Sequence, residues 1–169
     1  MSLLKILIFP DRRLRTVAKP ISKIDSSIVD LANNLLETMY SSDGIGLAAT
    51  QVNIHKRIIA VDTSEEKNRP LILINPLKKN LDKIKSVYEE GCLSVPGFYE
   101  PVERNNNVEI SFQNVKGEHL IIKPEGLESV VIQHEMDHLD GKVFVDYLSN
   151  LKREIIKKKL IKERTKKWK

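Results

Sequence analysis

Cysteine is almost missing: Cys92 stands alone, so no disulfide can form within the chain and the fold must rest on burial. A lone cysteine leaves four readings open, namely a sign of a reducing compartment, a small buried hydrophobe, a metal ligand or a nucleophile. Apolar runs are short. None approaches the roughly 18 residues of a membrane helix, and the opening Met1 to Pro10 is too brief for a secretory signal, so the expectation is a cytoplasmic protein without membrane contact. Aromatic residues amount to 5%, and apart from Trp168 none alternates with basic residues in the stacking pattern of single-strand nucleic-acid binders. Repeats, low-complexity blocks and Pro/Gly/Ser linkers are also lacking, which excludes solenoid arrays. What remains is one domain over residues 1–169, long enough to bury a sizeable core, with a monomer as the default.

Basic charge is scarce in the body and concentrated at the end. Residues 152–169 hold ten Lys or Arg against two Glu, so this stretch carries +8 of a net +5 and leaves −3 on the rest. Any attraction to RNA or the ribosome therefore belongs to a basic C-terminal helix over residues 150–169, whose plainer reading is a solvated amphipathic helix.

Periodicity divides the chain. Ile28, Leu31, Leu35, Leu36 and Met39 recur at helical spacing after Asp25 and Ser26, which can cap, and before Asp43-Gly44. The period then shortens to that of strands in Arg57–Thr63 and Leu71–Asn75, and in the alternating runs of Val108, Ile110 and Phe112 and of Leu120 and Ile122, joined by a turn at Lys116-Gly117. Helical spacing returns at Leu127, Val130, Val131, His134 and His138, between Pro124 and Gly141. Leu148, Leu151, Ile155, Ile156, Leu160 and Ile161 predict a third helix with an apolar stripe against the body. The sum is three helices and a mostly antiparallel sheet.

Chemistry concentrates on the second helix. In His134-Glu135-Met136-Asp137-His138 the two histidines are four apart, one turn above the other on one face, where both reach one metal ion, and Glu135 falls beside them. Two satisfied histidines at a helix end would be the bland alternative. A catalytic site needs a third protein ligand and an open position. The metzincin extension requires histidine at position 144 and finds Phe144, while the downstream carboxylates Glu154 and Glu163 fall in the lysine-rich helix. Cys92, in the turn-rich Glu89-Glu90-Gly91-Cys92-Leu93-Ser94-Val95-Pro96-Gly97, is the remaining candidate, a soft donor suited to zinc or ferrous iron. A buried structural thiol is the competing reading for that residue. Gly44-Ile45-Gly46-Leu47-Ala48-Ala49-Thr50-Gln51-Val52 lacks the Lys-Ser/Thr of a phosphate loop; its glycines would let a peptide backbone approach and Gln51 offers an amide donor, and a glycine turn followed by a small-residue packing segment is an equally good reading of the stretch alone.

Taken together, Gly44–Val52, Glu90–Ser94 and Gln133–Leu139 resemble, in order and spacing, the three motifs of the peptide deformylases. The similarity extends to Pro10–Arg15, Gly126-Leu127 and Gly141–Ser149, and the basic C-terminal helix is similar to that of the typical bacterial branch. The resemblance implies an α+β fold with antiparallel sheets packed around a central HExxH helix, with an N-terminal and a C-terminal helix. It implies hydrolysis of the N-formyl group from the formylmethionine of nascent chains. Cys92, His134 and His138 would bind one divalent ion, Fe2+ by family preference, with Zn2+, Ni2+ or Co2+ as alternatives. Glu135 would be the general base, Gln51 and the backbone N–H of Leu93 the oxyanion donors. Gly44, Ile45 and Gly46 would meet the peptide, and Ile45, Tyr88, Leu127, Val130, Val131 and His134 would line the methionine pocket. Gly97-Phe98-Tyr99-Glu100 and Glu103 depart from the more basic stretch and the proline common in relatives. Arg104 matches and is placed to pair with Glu90, and Ser129 stands where alanine is more usual. Two other readings use the same residues differently: a zinc peptidase or amidase acting on another amide, and a ribosome- or RNA-binding protein with a structural metal.

Overall fold

The structure, a computed structural model, describes residues 2–166, so Trp168 and the end of the basic tail lie outside the described residues. Three helices, α1 (Ser26–Ser41), α2 (Gly126–Leu139) and α3 (Asn150–Lys166), accompany seven strands. The strands are β1 (Gly46–Ala48), β2 (Ile58–Val61), β3 (Leu71–Asn80), β4 (Lys85–Cys92), β5 (Val95–Asn105), β6 (Val108–Gln113) and β7 (His119–Ile122). An antiparallel five-stranded sheet runs in the order β1-β2-β3-β6-β7, and β4 and β5 form a separate antiparallel pair.

Alternation along β2 explains how the helices are placed. Ile59 and Val61 point to one face of the large sheet and join Leu73, Ile110 and Phe112 against Val131, Ile132, Met136 and Leu139 of α2. Ile58 and Ala60 point to the other face and meet Leu31, Leu35 and Met39 of α1. A strand covered on both faces carries no polar alternation, so Ile58–Val61 is apolar throughout. Asp25 caps α1, accepting from the backbone N–H of Ser27 at 3.0 Å, and its buried stripe of Ile28, Leu31, Leu35 and Met39 contributes about 1.5–3 kcal/mol per side chain.

The two sheets are joined by side chains and by an N-terminal strap. Leu7 and Phe9 pack with Val95, Val102, Phe144, Ile156 and Leu160 in a third cluster. On the way, the backbone N–H of Leu7 donates to the carbonyl of Gln51 at 2.7 Å and that of Phe9 to the carbonyl of Ser94 at 2.8 Å.

Two expectations change. The Cys92 stretch is not turn-rich but is the end of one strand and the start of the next, with Cys92 paired to Val95 across a tight Leu93-Ser94 turn. Its glycines and charged residues hide a hairpin that gains its stability from packing on its neighbours. The stripe on α3 is also narrower than its spacing suggests: Ile156 and Leu160 are buried, whereas Leu151 is 72% exposed and Ile155 and Ile161 are also open to solvent.

Candidate active site

The three sequence motifs converge. Cys92 at the end of β4 and His134 and His138 on α2 bring one sulfur and two ring nitrogens within 4.8 Å of one another. Cys92 Sγ lies 3.2 Å from His138 Nε2, and the two imidazoles meet edge to face with centroids 5.0 Å apart. Helical geometry delivers this: a four-residue step returns to the same face, and α2 is buried along most of its length between the sheets.

Each donor is oriented from behind. Glu90, two residues before Cys92 in β4, meets His134 Nδ1 at 2.8 Å, which leaves Nε2 to face the thiol. Gln51 is 1% exposed, and its Oε1 accepts from the backbone N–H of Ala48 at 2.8 Å. That bond turns the amide nitrogen inward, where Nε2 stands 3.1 Å from Ser94 Oγ and 3.5 Å from Cys92 Sγ. Ser94 adds its own backbone N–H to the sulfur at 3.4 Å.

Electrostatics separate the titratable groups. Burial pushes Glu135 up to about 7, a carboxyl poised to exchange a proton near neutrality. Burial opposes charge on His134, yet the neighbouring Cys92 and Glu90 hold its pKa well above the usual histidine value. His138 is driven well below it by burial and by the positive groups around it, His134 first. Of the buried side-chain atoms without a hydrogen-bond partner, two lie at this centre, Glu135 Oε2 and His138 Nδ1. A soft sulfur, two imidazoles and an unpartnered carboxylate oxygen in one buried place fit a divalent metal with room for a reacting molecule.

A cleft of about 420 Å³ opens onto this centre, lined by Gly44, Ile45 and Gly46, by Leu93, by Leu127, Val130 and Val131, and by His134 and Glu135, among others. Its shape depends on two glycines. A Cβ on Gly46 would sit 2.5 Å from Glu135 Oε1 and 2.7 Å from Val131 Cγ1, and one on Gly44 would sit 2.7 Å from Leu93 Cδ1. The edge of β1 away from β2 has no strand partner among the described residues.

Of the residues singled out from sequence, all but Tyr88 fall at the centre or on this cleft. Tyr88 is half-buried on β4 and is not among the lining residues. It stands two residues farther from the thiol along β4 than Glu90 does. Arg104 does pair with Glu90, and the pair is buried, the guanidinium gripping both carboxylate oxygens at 2.6 and 2.9 Å. Ser129 accepts from Gln133 Nε2 at 3.2 Å inside α2. Sequence reasoning missed Ser94, Phe98 and Tyr99 as contributors. Reading Glu90 to Cys92 as strand would have placed Glu90 beside the histidines.

The family profile for polypeptide deformylase matches residues 3–154. Peptide deformylases of Saccharophagus degradans and Teredinibacter turnerae are 53% and 55% identical over 163 residues, covering 96% of this chain and 95% and 97% of theirs. A crystal structure of the peptide deformylase of Ehrlichia chaffeensis superposes with a TM-score of 0.95 at 35% identity over 99% of this chain and all of that one. A second, in complex with actinonin, gives 0.92 at 38% identity over 96% of this chain and 98% of that one. Motifs, fold and relatives agree, and the chain belongs to the peptide deformylase family.

Proposed function

We propose that Cys92, His134 and His138 hold the divalent ion of a deformylase, with Glu135 as the proton carrier and Gln51 and Leu93 as oxyanion donors. The chain is a hydrolase that removes the N-formyl group from nascent peptides, as its family does. The observation that carries the assignment of roles is the meeting of three soft or borderline donors within 4.8 Å, beside the buried Glu135, at the inner end of the cleft. A bound divalent ion supplies Lewis acidity, lowering the pKa of water toward neutrality and polarising a carbonyl.

Everything else is done by side chains and backbone. Glu135, with its pKa raised to about 7, takes a proton from the attacking water and returns it to the amine that leaves with the peptide. The Gln51 amide and the Leu93 N–H donate to the formyl oxygen as negative charge gathers there. Gly44, Ile45 and Gly46 offer backbone to an extended substrate at the open edge of β1, which places the first side chain against Ile45, Leu127, Val130 and Val131 and the ring of His134. That wall is apolar and suits methionine. The zinc peptidase and RNA-binding alternatives find no support among the relatives.

The finer assignments follow the same reading. Fe2+ is the working ion, with zinc a less active substitute. The enzyme works as a cytoplasmic monomer; no described helix is long and apolar enough to cross a membrane. The basic face of α3 docks on the ribosome, where its substrates emerge. Formate release from formyl-Met-Ala-Ser by anaerobically purified protein, with elemental analysis of its metal, tests the central claim. Glu135→Gln should abolish turnover while the metal stays bound, and metal lost together with activity would make Glu135 a ligand instead. Equal kcat/KM for formyl-Met and formyl-Ala peptides would refute the apolar pocket. Ribosome affinity unchanged by removal of residues 152–169 would refute docking by the tail.

A further inference from the structure

We propose that Arg104 is a positioning residue for the metal centre, a guanidinium clamp that sets the distance between the strand carrying Cys92 and the helix carrying His134 and His138. The inference rests on the reading of those three residues as metal ligands. It starts from a gap in the sheet architecture. The β4–β5 pair shares no ladder with the five-stranded sheet, and the N-terminal strap of Leu7 and Phe9 bonds its backbone to Gln51 and Ser94 rather than to α2, so no strand pairing fixes how far Cys92 stands from α2.

Arg104, on β5, spans that gap. Its Nε and one terminal nitrogen fork onto Glu90 Oε1 and Oε2 at 2.6 and 2.9 Å, and its other terminal nitrogen donates to Asp137 Oδ2 at 2.5 Å. Glu90 lies two residues from Cys92 and holds His134 Nδ1 at 2.8 Å, and Asp137 is the chain neighbour of His138. One planar group therefore grips both elements next to all three donors. The outer side is closed by Tyr147, whose hydroxyl donates to Asp137 Oδ2 at 2.7 Å and whose ring lies 5.0 Å from the guanidinium carbon.

Burial makes the clamp single-valued. Arg104 is 4% exposed and Glu90 5%, so neither charge has water to exchange for its partner, and any slip of β4 against α2 would strand an ion in the interior. A lysine at the same place offers one point charge in place of a fork and cannot hold two carboxylates at fixed separation.

Zinc titration of the metal-free protein against a chromophoric chelator tests this, with the visible spectrum of the Co2+-loaded protein as a record of donor geometry. Arg104→Lys should bind zinc roughly 10–100-fold more weakly, and its Co2+ bands should move. Asp137→Asn, which removes one charge but keeps a polar partner for Arg104 and Tyr147, should move both in the same direction by less. Arg15→Lys, at the exposed pair with Asp146, should leave both at the wild-type values. Wild-type zinc affinity and Co2+ bands in folded Arg104→Lys would overturn the clamp, as would a loss that only tracks the unfolded fraction seen by circular dichroism. Should Arg104→Lys not fold, Asp137→Asn decides, and unchanged affinity and bands there overturn the proposal. None of these readouts uses a formyl substrate, so failure of the deformylase roles and failure of the clamp remain separate results.

Discussion

At Gln51 a single amide is held at both ends, its oxygen by Ala48 and its nitrogen by Ser94, before any substrate arrives. A donor fixed in advance costs no reorganisation when charge develops. Gln51→Ala should therefore lower kcat by a factor corresponding to about 3–4 kcal/mol while KM stays near its starting value, which steady-state kinetics on formyl-Met peptides will show. Gly46 is constrained differently, since the space a side chain would need is occupied by Glu135 and Val131. Gly46→Ala should displace the Glu135 carboxylate and depress kcat strongly with little change in melting temperature; normal kcat would mean that Glu135 has room to yield. The sequence made the residue types of this centre legible because two histidines four apart have few other uses. It did not reveal Arg104 as buried, because a charged pair reads the same on paper whether water or protein surrounds it.

Among the elements, α1, α2 and the alternating pair β6 and β7 follow from their periodicities. The β4–β5 hairpin does not, and the reason is local: Tyr88, Glu89 and Glu90 alternate too weakly in polarity to register as strand, yet the chain pairs them with Val102, Pro101 and Glu100. α3 shows the opposite error, a stripe too broad. Only Ile156 and Leu160 are covered, while Lys152 meets Glu100 at 2.6 Å at its outer edge. Leu160→Ala should cost about 2–5 kcal/mol of stability through the cavity it leaves. Leu151→Ala, 72% exposed, should fall within about 0.5 kcal/mol of wild type in urea unfolding. Equal losses would place α3 differently against the body.

For the molecule as a whole, the proposed metal joins parts that share no strand ladder, with Cys92 from the small sheet and both histidines from the helix on the large one. An ion that binds only when both are in place stabilises the assembled state, by about 2.7 kcal/mol at a free concentration one hundred times its Kd. Chelation should accordingly lower the melting temperature as well as abolish turnover, and a melting curve indifferent to the metal would confine its role to the chemistry. The three helices and the antiparallel character of the strands were readable from period, and the α+β class followed from the resemblance of the motifs. The division into two sheets was not readable, because it depends on which strands pair across long stretches of chain.

The N-terminal strap ties the earliest residues to the latest. Leu7 and Phe9 bond to the carbonyls of Gln51 and Ser94 and share a cluster with Ile156 and Leu160 near the other end of the chain. Contacts of such sequence separation carry the largest loop-closure cost and form late in folding. Helical signal on refolding should return before catalytic power does, since the two carbonyl anchors beside Gln51 and Ser94 are fastened only when both chain ends have come home. In time as in space, competence is the last property this protein acquires.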